Sequence, residues 1–379
     1  MPFESLEPGM QAVLLCGAAQ LVFLDRVPPH AAVSESVSWA KRRIRPGAGG
    51  MVNAVLRALT KSLGEIVEDW DDIPSQLLLA DGRGRKLVRM TLPSDPVDRM
   101  AVQVSCPTGL LRRWVDAQGL ESAREAALYI LATPPIVLNV EFAETPVPQT
   151  DAHDLPGHAV FTGSIADLRH LLVDRDDIWV QDAASGAAIR RAATDLRPSL
   201  IVDLCAGRGT KTRQLARAFP EAKIIATDVD ETRFGVLRGV FAGHDRVSVL
   251  PPLEAIPAAA GSADLILLDV PCSNSGVLAR RPEAKYRFDR AQMKRLTGIQ
   301  QQIIADAMGA LSPNGSILYS TCSLEPEEDA GAVAYACESF GLSVSWTAFL
   351  WPSGSPRPPI GVDPGFFYHD GSFAALLTR

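Results

Sequence analysis

Two cysteines and three aspartates stand where short apolar runs of this chain end. Residues 265–268 run into Asp269, Val270, Pro271 and Cys272, and residues 316–319 run into Ser320, Thr321, Cys322 and Ser323. Upstream, Ile201 and Val202 end at Asp203, and the run at residues 224–226 leads to Asp228. In an open α/β sheet, ligands gather at the carboxyl ends of the strands. Asp203, Asp228, Asp269, Cys272 and Cys322 are therefore expected to converge on one crevice, bringing two thiols beside carboxylates. A buried cysteine is usually only a small hydrophobe. The proline before Cys272 and the polar residues around Cys322 argue instead for loop positions in a site. A disulfide between the two is open geometrically, but a reducing cytosol opposes it.

The elements that must position these groups begin at residues 200–230, LIVDLCAGRGTKTRQLARAFPEAKIIATDVD. A strand, a Gly-rich turn, a helix from about Thr210 and a second strand make one βαβ unit of a nucleotide-binding sheet. Glycine is wanted in the turn because a side chain there would keep the backbone from a ligand. The carboxylate closing the second strand falls where such folds hold ribose hydroxyls. A lone Gly-rich turn also fits an ordinary structural turn, so the downstream strand ends decide. A third strand is expected at residues 247–250, running into Pro251 and Pro252, and a long helix over 292–311.

With 379 residues, 47% hydrophobic and 21% charged, the chain reads as globular and longer than one ordinary domain. No apolar run approaches the length of a membrane span, and residues 1–10 lack a basic patch followed by an apolar core. The six cysteines are irregularly spaced, without paired Cys-x-x-Cys motifs, so neither a disulfide framework nor zinc is expected. A cytoplasmic protein without a metal follows as the expectation. Net charge is −7, which by itself argues mildly against nucleic acid as a partner. Basic clusters at Lys41, Arg42, Arg43 and Arg45, at Arg83, Arg85, Lys86 and Arg89, and at Arg280, Arg281, Lys285 and Arg287 read singly as solvated faces. Together they leave RNA binding open.

Earlier in the chain, periodicity predicts helices ending near Asp25, over 31–43 and over 51–59, an all-α module. Residues 62–95 are mixed and charged and read as a linking region. Helical spacing returns over 105–133, a strand is expected at 136–142, and 143–178 reads as connector. At 178–193 a short apolar start leads into a helix opened by Gln181 and Asp182.

These motifs carry a resemblance. DVPCSNSGVLARRPEAKYRF and YSTCSLEPEED match the Pro-Cys and Thr-Cys motifs of the RsmB/Sun family of RNA 5-methylcytosine methyltransferases. AAQLVFLDRVPPHAAVSESVSWAKR followed by GMVNAVLRAL resembles the later part of the NusB-like domain that precedes the catalytic domain there. The resemblance implies an α/β fold: a Rossmann-like methyltransferase domain at 178–379 behind a shortened NusB-like helical domain with linker at 1–95 and a small α+β connector at 96–177. The closing stretch, Gly365, Phe366, Phe367 and Tyr368 and then residues 371–378, resembles the family's final hairpin.

The resemblance also implies roles. Cys322 would be the nucleophile that adds to carbon 6 of cytosine, Cys272 would serve the release step, and Asp269 would hydrogen-bond the nitrogen 3 edge. The cofactor would be S-adenosyl-L-methionine (SAM), its methionine part surrounded by Cys205, Ala206, Gly207, Arg208, Gly209, Thr210 and Lys211, with Asp228 on the ribose and Asp269 close by. Arg280, Arg281 and Lys285 would meet RNA phosphates, and the expected partner is RNA, foremost 16S ribosomal RNA. Relatives usually read Cys-Ala-Ala-Pro-Gly-Gly-Lys-Thr at the turn. Here Arg208 and Thr210 replace Pro and Gly, and Pro251, Pro252 and Leu253 stand where relatives carry an acid near the adenine, with only Glu254 nearby. These departures motivate a rival reading, a non-catalytic RNA-binding assembly factor, while transfer RNA remains a rival substrate. The acids Glu327, Glu328 and Asp329 after Pro326 read as complements of a helix dipole.

Overall fold

The computed structural model describes residues 2–173, 175–356 and 368–379; Gly365, Phe366 and Phe367 of the expected final hairpin lie outside them. The chain divides into two compact units, Met1–Thr108 and Gly109–Arg379.

In the first unit, proline opens two helices, α1 (Pro8–Phe23) and α2 (Pro29–Arg43), and α3 (Ala48–Ser62) follows. Proline suits a first helical turn because its missing N–H would be unsatisfied there anyway. Met10, Leu14, Val33, Val52 and Leu56 meet in the core of the three helices. Gly17 is a point of close approach: a Cβ there would stand 2.6 Å from Leu56 Cδ1 and 2.9 Å from Ser36 Oγ. The expected linker at 62–95 is instead a small antiparallel sheet of β1 (Leu63–Val67), β2 (Gln76–Leu78) and β3 (Gly84–Leu87), in the order β1-β3-β2. These strands are three to five residues long, so their alternation is too brief to register. A fourth helix, α4 (Pro96–Gln103), is capped by Asp95, whose side chain accepts the N–H groups of Val97 and Asp98. Its Gln103 accepts the Leu78 N–H at 2.7 Å and donates to the Gln76 carbonyl at 2.9 Å, standing in for a neighbouring strand. The boundary expected after residue 95 thus falls at 108, because α4 belongs to this unit.

The second unit begins with α5 (Thr108–Gln118) and α6 (Leu120–Tyr129). A four-stranded antiparallel sheet follows, of β4 (Ile136–Asn139), β5 (Thr150–Ala152), β6 (His158–Phe161) and β7 (Trp179–Val180), with α7 (Ile165–Val173) between β6 and β7. Its order is β5-β6-β4-β7. The boundary expected at 177/178 therefore lies within this sheet's chain segment, since β7 pairs Val180 with Leu138.

Helix α8 (Ala183–Asp195) then leads into β8 (Leu200–Asp203), α9 (Thr210–Ala218), β9 (Lys223–Ala226), α10 (Glu231–Val240), β10 (Val247–Val249), α11 (Pro252–Ala258) and β11 (Ala263–Asp269). After short 3-10 turns come α12 (Arg290–Ala307), β12 (Leu311–Thr321), α13 (Ala330–Phe340), β13 (Ser343–Leu350) and β14 (Ser372–Thr378). The strands form one seven-stranded sheet, ordered β10-β9-β8-β11-β12-β14-β13. The five strands β10, β9, β8, β11 and β12 are parallel, and β14 runs antiparallel to both β12 and β13. This is a Rossmann-like sheet with a covered core on each face: Ile201, Leu215, Ile224 and Leu265 on one, Val202, Ile266, Ile304 and Ile317 on the other. Strand order reverses between β8 and β11, so the crevice opens at their carboxyl ends. Register places Leu267 opposite Asp203 and Ser320 opposite Asp269.

Candidate active site

β8 delivers Asp203 into the interior, where it is fully buried and accepts the Thr212 hydroxyl at 2.7 Å. Its other carboxylate oxygen has no partner among the described residues. Burial raises its pKa to about 7. The turn after it carries Gly207 at φ 59° and Gly209 at φ 92°, left-handed positions that glycine adopts freely. A Cβ on Gly209 would strike Phe241 at 2.6 Å, whereas one on Gly207 would enter open space. Gly207 therefore exposes bare backbone towards whatever occupies the crevice.

Asp228, after β9, is buried and already occupied. One oxygen accepts the Gly207 N–H at 2.9 Å; the other accepts the Asp230 N–H at 2.8 Å and Arg233, whose Nη2 is 2.8 Å away. It braces the turn as well as facing the crevice. Two clefts meet at this point, sharing Cys205, Gly207, Arg233, Asp269 and Pro271. One is an apolar trough of about 740 Å³, walled by Pro252, Leu253, Ile256 and Ile303, with Asp228 and Val229 at its edge. Glu254, the nearby acid expected from the sequence, does not line it. The other, of about 730 Å³, holds Asp269, Cys272 and Cys322 together with Ala206, Gly207, Arg208, Thr210 and Lys211. An apolar slot for a flat base, a carboxylate at its rim and open backbone beside a lysine are a donor set that fits SAM.

β11 and β12 bring the two cysteines together. Their sulfurs lie 3.1 Å apart, and both are free thiols. Contact with Cys322 and burial push the Cys272 thiol well up. Cys322 donates towards Asn274 Oδ1 at 3.3 Å, while Asn274 Nδ2 donates to the Cys272 carbonyl at 3.0 Å. Asn274 sits at φ 61°, a left-handed position that asparagine tolerates better than most residues. Asp269 is drawn to Lys211, whose Nζ is 2.6 Å from Oδ1, and the same oxygen accepts the Ser320 hydroxyl at 2.9 Å.

The loops bearing the cysteines are held by a residue that sequence reasoning misread. Glu328 is fully buried; it accepts the Ser273 N–H at 2.9 Å, the Ser323 hydroxyl at 2.6 Å and Gln300 Nε2 at 3.0 Å. Ser273 and Ser323 each follow a cysteine directly, so one carboxylate ties both loops. Helix α13 starts only at Ala330, so Glu328 is no helix-dipole complement. Asp329, also buried, takes the Thr321 hydroxyl at 2.6 Å, and buried Glu325 takes Trp114 Nε1 at 3.0 Å and Arg113 Nε at 2.9 Å. The sequence did carry a signal, a run of acids within a few residues of Cys322, of which Glu325, Glu328 and Asp329 are buried and Glu327 is exposed.

The three basic residues expected at RNA phosphates separate. Arg281 is exposed at the cleft. Arg280 is tied to Asp182 at 3.1 Å and Asp370 at 3.0 Å, with its guanidinium over the Tyr368 ring. Lys285 is buried at 5% exposure, so it does not present an ammonium to solvent. Asp182 also caps α8 by accepting the Ala184 N–H, and Gln181 donates to Gln214 while accepting from Asn139 and Trp179. Both are structural connectors at the cleft wall.

Comparison with known proteins agrees with this architecture. Residues 194–340 match the family described as 16S rRNA methyltransferase RsmB/F, and residues 1–61 match the NusB family. The chain is 31% identical to ribosomal RNA small subunit methyltransferase B of Erwinia tasmaniensis, over all of this chain and 84% of that protein. The chain belongs to the RsmB/F methyltransferase family. Among solved structures, PH0851 is similar over all of this chain and 84% of its own, with a TM-score of 0.67 at 20% identity. NSun6 from Pyrococcus horikoshii, solved with SFG, is similar over 72% of this chain and 98% of its own, with a TM-score of 0.57 at 18% identity. These two likenesses speak to the fold. The RsmB/F segment spans the Gly-rich turn and both cysteines, so the family match and the thiol pair fall on the same residues. No group of three or more metal-ligating side chains occurs among the described residues, and no helix there is long and apolar enough to cross a membrane.

Proposed function

We propose that this chain is a SAM-dependent RNA cytosine-5 methyltransferase acting on small-subunit ribosomal RNA. The observation that carries the reading is the pair of free thiols 3.1 Å apart in the cleft that also holds Asp269. Carbon 5 of cytosine is a poor nucleophile until a thiolate adds to carbon 6. In this reading the Cys322 thiol gives its proton to water, its sulfur forms that bond, the C5–C6 π electrons move to carbon 5, and carbon 5 takes the methyl group that bound SAM supplies. The C5 proton then leaves, its bonding pair restores the double bond, and Cys322 departs as thiolate.

Cys322 suits the nucleophile because Cys272 is the buried thiol held protonated. Once Cys322 is bonded to carbon, its thiol contact no longer raises Cys272, although burial still does. Cys272 then releases its proton to solvent and accepts the C5 proton. Asp269, beside Lys211 and the Ser320 hydroxyl, sets a carboxyl oxygen in the cleft that is suited to accept from the N4 amino group of the bound base. The target nucleotide must leave its stack to enter the cleft. The apolar trough, Asp228 and the turn at 205–211 would hold the adenine, ribose and methionine parts of SAM, in line with the SFG in the NSun6 structure, a SAM analogue.

Tritiated methyl transfer from SAM to unmodified small-subunit ribosomal RNA tests the reading. Counts fixed in one fragment, and absent with Cys322→Ala, support it. Counts in transfer RNA alone would move the substrate. RNA binding without detectable SAM binding by calorimetry would favour an assembly factor.

A further inference from the structure

The cleft that holds the cysteines contains more cations than its carboxylates use. Arg208, Lys211, Arg233, Arg280 and Arg281 line it, against Asp182, Asp269 and Asp370. Lys211 is bound to Asp269, and Arg280 to both Asp182 and Asp370. Arg233 is bound to Asp228. Arg208 and Arg281 remain, both exposed and without a carboxylate partner among the described residues.

We propose that Arg208 is a phosphate contact for the RNA strand that delivers the target nucleotide to Cys322, acting together with Arg281. This rests on the RNA methyltransferase reading above. Arg208 stands between Gly207 and Gly209, whose left-handed backbones make the turn on which it is carried. It lines the cleft that holds the cysteines and not the apolar trough, and it is exposed there. The whole chain carries a net charge of −7, so a polyanion finds no general attraction. Its phosphates must be met by local uncompensated cations, and this cleft has two. A guanidinium is suited to the task because its fixed fork of donors matches phosphate oxygens. The residue read from sequence as part of the cofactor turn thus has a double role: backbone towards the cofactor, side chain towards RNA.

The rival oxyanion is the carboxylate of SAM, and the experiment separates the two. The full chain is compared with Arg208→Gln and Arg208→Lys; Arg208 is exposed in a turn, so neither change threatens the fold. Calorimetry gives SAM affinity, and filter binding of an unmodified small-subunit rRNA transcript from about 50 to about 200 mM salt gives RNA affinity and its salt slope. Arg208→Gln is expected to weaken RNA binding about two- to tenfold and to lower the slope by about 0.7, with SAM affinity unchanged. Arg208→Lys should keep the slope. Unchanged RNA affinity and slope in Arg208→Gln, or a loss confined to SAM, would overturn the inference while leaving the methyltransferase reading intact. A wild-type chain that binds SAM but no RNA would overturn both.

Discussion

The sulfurs of Cys272 and Cys322 stand 3.1 Å apart, each at the carboxyl end of one of two neighbouring parallel strands. That separation makes their roles separable by experiment. Cys322→Ala should abolish methyl transfer and covalent attachment together. Cys272→Ala should leave the bond to carbon 6 able to form and unable to break, so a protein–RNA adduct should survive denaturing electrophoresis. If both variants gave the same pattern, the division of labour would be wrong.

Glu328 fixes how the two cysteine loops face each other, so its removal should reach both. In Glu328→Ala the Ser273 N–H, the Ser323 hydroxyl and the Gln300 amide lose a buried acceptor, at a cost of about 2–4 kcal/mol of stability. Glu328→Gln keeps the volume but sets a carboxamide N–H against donors. It should fold, with methyl transfer reduced about tenfold or more, on the scale of a small misplacement of reacting groups. Thermal unfolding and adduct yield measured side by side check this. A folded Glu328→Gln protein with wild-type adduct formation would remove the clamp from the mechanism.

Lys285 and Arg281, neighbours in sequence, should respond differently. Arg281 is exposed at the cleft, whereas Lys285 is buried with its ammonium 5.2 Å from the Tyr286 ring centroid. Arg281→Ala should weaken RNA binding and flatten its salt dependence, with stability moved by less than about 0.5 kcal/mol. Lys285→Ala should lower the melting temperature and leave the salt slope alone. Equal salt slopes in the two variants would contradict this assignment.

Much of the catalytic half was legible because its signals are local and repeated. Each strand of the crevice is a short apolar run ending in a chemically distinctive residue; of the five residues expected to converge, Asp269, Cys272 and Cys322 line one cleft, Asp228 lines the adjoining trough, and Asp203 lines neither because it is fully buried. The small sheet at 63–87 was not legible, since strands of three to five residues carry too few alternations for a period to emerge. Nor was β13, whose exposed-and-half-buried pattern has little apolar contrast. Hydrogen-bond and ion-pair partners far apart in sequence were not legible. Nothing near Arg280 announces Asp370, and nothing near Ser273 announces Glu328. Charged residues were thus read as solvated or as phosphate contacts where tertiary partners had already claimed them.

Asp203 gives the fold a pH dependence with a definite sign. Its carboxyl is raised from the ordinary 3.8 to about 7, chiefly by burial. Between these values the native state binds more protons than the unfolded chain, so stability falls as pH rises from about 4 to about 7 and levels off above. Asp370, raised to about 6 by burial, works in the same direction, while His158, lowered to about 4 by burial, works in the opposite one. Both are common to wild type and Asp203→Asn, so they cancel in the difference between the two. Asparagine retains an acceptor for the Thr212 hydroxyl and cannot titrate. The unfolding free energy of wild type minus that of Asp203→Asn should therefore decline by on the order of 2–4 kcal/mol between about pH 4 and pH 7. Urea unfolding at a series of pH values measures it, and parallel curves for the two proteins would show that Asp203 is ionised in the native state throughout.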